Sequence, residues 1–272
     1  MKRHYDIPLI EDKARAIRRD IIRMLKTDKG HLGGSLSITD IVASLYFGAM
    51  NFDPQNPTDP LRDRFILSKG HSVLAQYGAL AELGLVNRGL FDRLKQLSSP
   101  LQGHPDMKFL PGIEANTGSL GQGLSLANGM ALAGRLDGRD FTVYVIMGDG
   151  ELSEGQVWEA AMASAHYRLN KVVAFIDNNG LQATGRIQDR FNTGPYVPKF
   201  RAFGWHTLEI NGHAVPEILK AVDEARETMD RPTAIVAHTI KGKGVPFAEN
   251  NPAFHHNAMT RDQYEQALKI FS

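Results

Sequence analysis

Gly148–Asn179 reads GDGELSEGQVWEAAMASAHYRLNKVVAFIDNN. A Gly-Asp-Gly follows one apolar run, Val143-Tyr144-Val145-Ile146-Met147, and an Asp-Asn-Asn ends the next, Val172-Val173-Ala174-Phe175-Ile176. Short, continuously apolar runs are strands covered on both faces. The segment between them has helical period, so the unit is strand–helix–strand. Asp149 and Asn179 then place an acidic oxygen and an amide oxygen at the same end of two neighbouring strands. A hard divalent cation prefers such oxygens. Gly148 and Gly150 let a bulky anion approach the backbone closely. The expected ligand is a diphosphate held through a metal ion.

The rest of the chain extends the pattern. Apolar residues at helical spacing predict a helix over 9–26, and Lys29–Ser35 reads as a Gly-rich loop. Ser37 is the expected N-cap of a helix running to about Ala49. Residues 51–63, rich in Pro, Asn and Asp, read as an irregular connection. A short strand is expected at 64–68, with helices at 72–83 and 88–96 and a long loop at 100–112. Thr117–Gly123 is a second Gly-rich turn feeding a helix to Leu136. Strands are expected at 204–210 and 234–239, and helices at 214–229 and 261–270. Alternation of this kind implies an α/β fold. The expected architecture has three layers: a mainly parallel sheet with helices on both faces, in one domain over 1–272. Ligands of open parallel sheets bind beyond the carboxyl ends of the strands. Those ends carry Gly70-His71, Gly148-Asp149-Gly150, Asn178-Asn179 and Thr239-Ile240-Lys241.

Composition narrows the function. The 272 residues carry a formal net charge of +1, which gives no reason to expect nucleic acid or an acidic membrane as partner. There is no cysteine, so disulfides, thiolate metal sites and a cysteine nucleophile are excluded. No apolar run approaches the roughly 18 residues of a membrane span. Met1–Asp6 has charge but no apolar core behind it, unlike a secretory signal. A cytoplasmic location is the expectation.

GDG followed by NN also resembles the thiamine-diphosphate fingerprint, and it does not stand alone. GHLGGSLS at 30–37, LSKGHS at 67–72, GHP at 103–105, TGSLGQGLS at 117–125 and TIKGKG at 239–244 accompany it. Together these blocks are similar to the diphosphate-binding, N-terminal domain of transketolases. The resemblance implies thiamine diphosphate as cofactor, with Mg²⁺ or Ca²⁺ held by Asp149, Asn179 and the carbonyl of Leu181. It implies that Gly148 and Gly150 lie along the diphosphate, the Gly150 N–H donating to it. Gly118, Ser119 and Leu120 would lie near the aminopyrimidine ring; many transketolases have proline at the position of Ser119. It assigns His31, His71 and His104 to the thiazolium and substrate channel. A further family histidine falls at His255 or His256. Glu154 would touch the other half of a dimer beside the cofactor. The implied reaction moves a two-carbon ketol unit from a ketose, such as a sugar phosphate, to an aldose.

The resemblance implies a second domain for the pyrimidine end of the cofactor. The chain has no further α/β unit of sufficient length, so the expectation is one subunit of a split transketolase. Its partner would be a separate pyrimidine-binding chain, in a heterotetramer of two of each. Two other readings stand beside this one: a carboligase similar to deoxyxylulose-phosphate synthase, and a non-catalytic cofactor-binding chain. Individual features also have plainer readings. GDG can be only a tight turn, Glu154 only a helix first-turn acid, and Lys241–Gly244 only a solvated turn or a cation aimed at phosphate.

Overall fold

The computed structural model describes residues 4–26 and 30–272. Lys29 of the Gly-rich loop lies outside the described residues, as do Met1, Lys2 and Arg3 of the N-terminal segment. The elements run α1 (Ile7–Met24), α2 (Leu32–Ser37), α3 (Thr39–Ser44), β1 (Arg64–Leu67), α4 (Val73–Glu82), α5 (Gly123–Leu136), β2 (Val143–Gly148) and α6 (Gly155–His166). They continue with β3 (Val172–Asn178), β4 (Leu181–Gln182), β5 (Gly185–Arg186), α7 (Ile187–Arg190), α8 (Tyr196–Ala202), β6 (His206–Asn211), α9 (Val215–Glu227), β7 (Thr233–His238) and α10 (Arg261–Ile270).

The main sheet has the order β1-β2-β3-β7-β6, and every pairing is parallel. Alternating residues of β1, β2, β3 and β7 feed two separate cores. Tyr144, Ile146, Val173, Phe175 and Ile235 pack against α1–α4 and α9. Val143, Val145, Met147, Val172, Ala174 and Val236 pack against α5, α6 and α8. That is the three-layer arrangement the continuous apolar runs require, since neither face of β2 or β3 meets water.

The register pairs Gly148 with Asp177. The fingerprint residues therefore sit side by side at the carboxyl edge of the sheet. The close approach of β1's exit to the second Gly-rich turn depends on Gly70. A Cβ there would lie 2.6 Å from the Thr117 carbonyl carbon and 2.7 Å from the Gly118 nitrogen.

Several local expectations are corrected. The Gly-rich segment after Gly30 is helix α2, every residue of it buried. Ser37 is not a cap: it ends α2, and Ile38 precedes α3 without a side-chain cap. The helix expected over 88–96 is a 3-10 helix, Arg88–Arg93, whose cap is Asn87. Glu154 lies just before α6 and makes no side-chain cap bond, so it is not a first-turn acid. The small hairpin β4–β5 and helices α7 and α8 have no counterpart in the sequence reading.

Candidate functional site

Four strand exits build the site. Lys69, Gly70 and His71 follow β1, and Asp149 and Gly150 follow β2. Asn179 and Leu181 follow β3, and Thr239 and Lys241 follow β7. A cleft of about 450 Å³ opens between them. It is lined by all the expected site residues except Ser119: His31, His71, His104, His255, Gly118, Leu120, Gly148, Asp149, Gly150, Glu154, Asn179 and Leu181. A larger cavity of about 800 Å³ lies beside it and shares Asp149, Asn179 and Leu181.

On the floor, the buried Asp149 carboxylate accepts from Gly150 N at 2.8 Å and from Gly180 N at 2.5 Å. It thereby ties the exit of β2 to the turn after β3. Burial, then the neighbouring Asp177 carboxylate, pushes Asp149 up to about 7. A buried carboxylate so placed suits a cation. Asn179 accepts through Oδ1 from Leu181 N at 3.0 Å and donates through Nδ2 to Asp177 Oδ2 at 2.9 Å. The carbonyl of Leu181 accepts from Lys241 Nζ at 2.9 Å. Gly150, expected to donate to a diphosphate, here donates to Asp149.

The mouth is a cluster of imidazoles. Ring centres lie 5.0 Å apart for His31–His71, 6.2 Å for His31–His104, 5.3 Å for His31–His255, 4.5 Å for His31–His256 and 5.2 Å for His71–His255. Both His255 and His256 thus reach the cluster; His255 also lines the cleft, while His256 is exposed. Gly118 permits the loop to pass close to this cluster: its φ is +140°, and a Cβ there would lie 2.6 Å from His104 Cδ2. Lys241 Nζ lies 3.0 Å from His255 Nδ1, so that nitrogen accepts.

Burial lowers each ring's tendency to protonate, and neighbouring cationic groups add to it. His31 falls to about 3, with His255 and His256 the next causes. His255 falls to about 4, with Lys241 next. His71 lies well below its ordinary value and His104 is also lowered. At neutral pH these rings are uncharged, each with one donor and one acceptor nitrogen, and in His255 the acceptor is already taken by Lys241.

A stability prediction follows from the sign. His31 and His255 have folded values below the unfolded 6.5, so as pH falls from about 6.5 toward 4 the unfolded chain takes up protons that the folded chain refuses. Stability therefore drops over that window. Asp149 has the opposite sign, so the comparison must be between proteins. Wild type is expected to lose roughly 1–2 kcal/mol more than a His31→Gln/His255→Gln variant, after discount for solvent screening. That is about 2–6 °C in melting temperature between pH 7 and 4.5. Parallel melting curves for the two proteins would refute it.

Sequence reasoning missed four charged side chains and resolved a fifth incompletely. Lys69 is buried, 2.5 Å from Asp177 Oδ2 and 2.9 Å from Gly34 O. Glu151 is buried, accepting from Ser68 Oγ, from Gly121 N at 2.9 Å and from Gly148 N at 3.0 Å. Burial raises Glu151, against those hydrogen bonds. Asp177 is wholly buried, and burial is outweighed by Lys69 and hydroxyl donors, which hold it below the usual carboxylate range. Asp40 pairs with Arg18 and with His213, whose Nε2 accepts from Ile240 N at 2.8 Å and so braces the Lys241 turn. Lys241 itself is buried, not a solvated turn; burial and then Lys69 lower it to about 8.

Comparisons with known proteins identify the family. A family model described as "Transketolase, thiamine diphosphate binding domain" matches residues 9–272. The chain belongs to the transketolase family. It is 44% identical to a 6-deoxy-6-sulfo-D-fructose transketolase subunit from Clostridium sp. strain MSTE9, over 95% of this chain and 94% of that protein. It is 39% identical to an apulose-4-phosphate transketolase subunit from Phocaeicola vulgatus, over 98% and 95%. Among solved structures, transketolase from Leishmania mexicana superposes with a TM-score of 0.90 at 30% identity, over 98% of this chain and 42% of that one. The chain thus spans about two fifths of the solved transketolases it matches and nearly the whole of the transketolase subunits. It is a transferase subunit of the thiamine-diphosphate-dependent kind. Among the described residues no helix is long and apolar enough to cross a membrane.

Proposed function

We propose that this chain, one domain over 1–272, is the diphosphate-binding half of a two-chain transketolase. With a separate pyrimidine-binding subunit, as two of each chain, it moves a two-carbon ketol unit from a ketose carrying a phosphate or sulfonate to an aldose. One observation carries the reading: Gly148, Gly150, Asp149, Asn179 and Leu181 line one cleft together with the imidazoles of His31, His71, His104 and His255. The cysteine-free sequence is consistent with work in a reducing cytoplasm.

The residues fit the group. Asp149, Asn179 Oδ1 and the Leu181 carbonyl form a set of hard oxygens suited to Mg²⁺ or Ca²⁺, with diphosphate oxygens completing the shell. Among the described residues no three His, Cys, Asp or Glu side chains gather as a metal site. The proposed set differs in kind, with a single carboxylate. Gly148 and Gly150 would line the diphosphate; Gly118, Ser119 and Leu120 would lie toward the pyrimidine, and Glu154 would face the partner. When bound, thiamine diphosphate supplies the carbon nucleophile that the reaction needs. This chain's own part is to hold the diphosphate and to orient sugar hydroxyls with His31, His71, His104 and His255. Those neutral rings donate and accept hydrogen bonds along the substrate channel and can relay protons between hydroxyls.

The test is a reconstituted complex given Mg²⁺, thiamine diphosphate, an aldose acceptor and a panel of donors: a pentulose phosphate, apulose 4-phosphate and 6-deoxy-6-sulfofructose. Cofactor-dependent ketol transfer from at least one donor is expected. Transfer only from pyruvate, with loss of carbon dioxide, would overturn the reading in favour of the carboligase.

A further inference from the structure

The buried carboxylate of Asp177 is the point at which four sequence blocks meet. Ser37, from GHLGGSLS, donates to Oδ2 at 2.8 Å. Lys69, from LSKGHS, donates to the same oxygen at 2.5 Å. Asn179, of the fingerprint, donates to it through Nδ2 at 2.9 Å. Thr239, from TIKGKG, donates to Oδ1. Asp177 lines the same cleft, and its carboxylate neighbours that of Asp149.

Its consequence falls on Asn179. An amide side chain has one accepting end and one donating end, and rotation by half a turn exchanges them. An ionised carboxylate only accepts, so Asp177 fixes the amide nitrogen toward itself. Leu181 N only donates, and it fixes Oδ1 on the opposite side. The other polar side chains at this carboxylate, Ser37, Lys69 and Thr239, all donate to it, so its oxygens are left to accept. We propose that Asp177, held by Lys69, is a positioning residue: it locks the Asn179 amide so that its oxygen, not its nitrogen, faces the cation.

This rests on the cation site proposed above, and the experiment separates the two. The complex of the full chain with its partner is titrated with Mn²⁺ in the presence of thiamine diphosphate, and bound Mn²⁺ is followed by electron paramagnetic resonance. Asp177→Asn offers Asn179 a partner that can donate or accept, so the amide keeps only its bond from Leu181 N to hold its orientation. Half-saturation is expected to need about 10- to 100-fold more Mn²⁺, the usual effect of losing a group that orients a metal ligand. The plateau signal, and turnover at saturating Mn²⁺, should return to the wild-type level.

The decisive protein is the exchange variant Asp177→Asn/Asn179→Asp. It keeps the net charge of the pair, and a carboxylate at 179 has no wrong face to present. Half-saturation should return to within a few-fold of wild type. A merely structural role for Asp177 predicts that the exchange variant stays as impaired as Asp177→Asn, and that result overturns the proposal. So does unchanged Mn²⁺ dependence in Asp177→Asn. Should Asp177→Asn fail to fold, Ser37→Ala keeps both charges and should shift half-saturation in the same direction by several-fold; no shift there counts equally against it. Wild type that binds cofactor with no dependence on Mn²⁺ would instead remove the cation site itself.

Discussion

Asp149→Asn is expected to abolish cation-dependent loading of thiamine diphosphate. Asp149 is the single carboxylate among the three oxygens proposed for the cation, and it is buried. Two unit charges 4 Å apart at an effective dielectric of 20 interact by about 4 kcal/mol, and a divalent ion doubles the product of charges. Losing even 4 kcal/mol is about a thousandfold in affinity. The amide also fails locally. Asp149 accepts from Gly150 N and Gly180 N through different oxygens, and an asparagine can answer only one of them. The turn from Asn179 to Leu181, which carries the other two oxygens, then loses its tie to β2. Folding should suffer little by comparison, because the carboxylate is itself held under strain by burial and by Asp177, as its rise to about 7 records. Calorimetric titration with Mg²⁺ and thiamine diphosphate, beside a melting curve without either, reads the two effects separately. Wild-type affinity in Asp149→Asn, or a loss of binding accompanied by an equal loss of folding, would remove Asp149 from the role.

The parts legible in the sequence were those written in local periodicity. Continuous apolar runs at 143–147 and 172–176 could only be strands covered on both faces, and their polar ends had to emerge together. The capping box that opens α10, with Thr260 and Gln263 bonded reciprocally, is equally local, and that helix lies where its spacing puts it. What was not legible depends on distance in space. Gly33 and Gly34 disfavour a helix by propensity, yet α2 forms because packing admits nothing larger. A Cβ on Gly34 would lie 2.8 Å from Ser72 Oγ, and one on Gly33 would lie 3.0 Å from Lys241 Cγ. Ser37 has the residue type of a cap, but its hydroxyl is spent on Asp177, 140 residues away. Lys69, Asp177 and Glu151 stand at strand ends, where charged residues are ordinarily solvated. Nothing in the sequence shows that Lys69 and Asp177 pair with each other, or that Glu151 takes Ser68 and two backbone N–H groups, instead.

By itself this chain is expected to show no ketol transfer, and addition of the pyrimidine-binding subunit should restore it in full. The relatives it matches from end to end carry the word subunit in their names, whereas the solved transketolases continue well beyond the region it matches. The site proposed above would grip only the diphosphate end of the cofactor. Activation of the other end is assigned to the partner, and a cofactor held at one end only does not turn over. Because both chains would grip the same molecule, assembly and cofactor binding must be linked: each strengthens the other by the same factor. Thiamine diphosphate with Mg²⁺ should therefore tighten the complex, and the partner should raise cofactor affinity on this chain by an equal ratio. A coupling of about 1–3 kcal/mol, typical between linked sites, means roughly 5- to 150-fold. Sedimentation of the mixed chains with and without cofactor measures one side of the cycle, and calorimetry with and without partner measures the other. Turnover by the lone chain at the rate of the complex would sink the two-chain reading. Assembly indifferent to cofactor would mean that the cofactor is not shared between the chains.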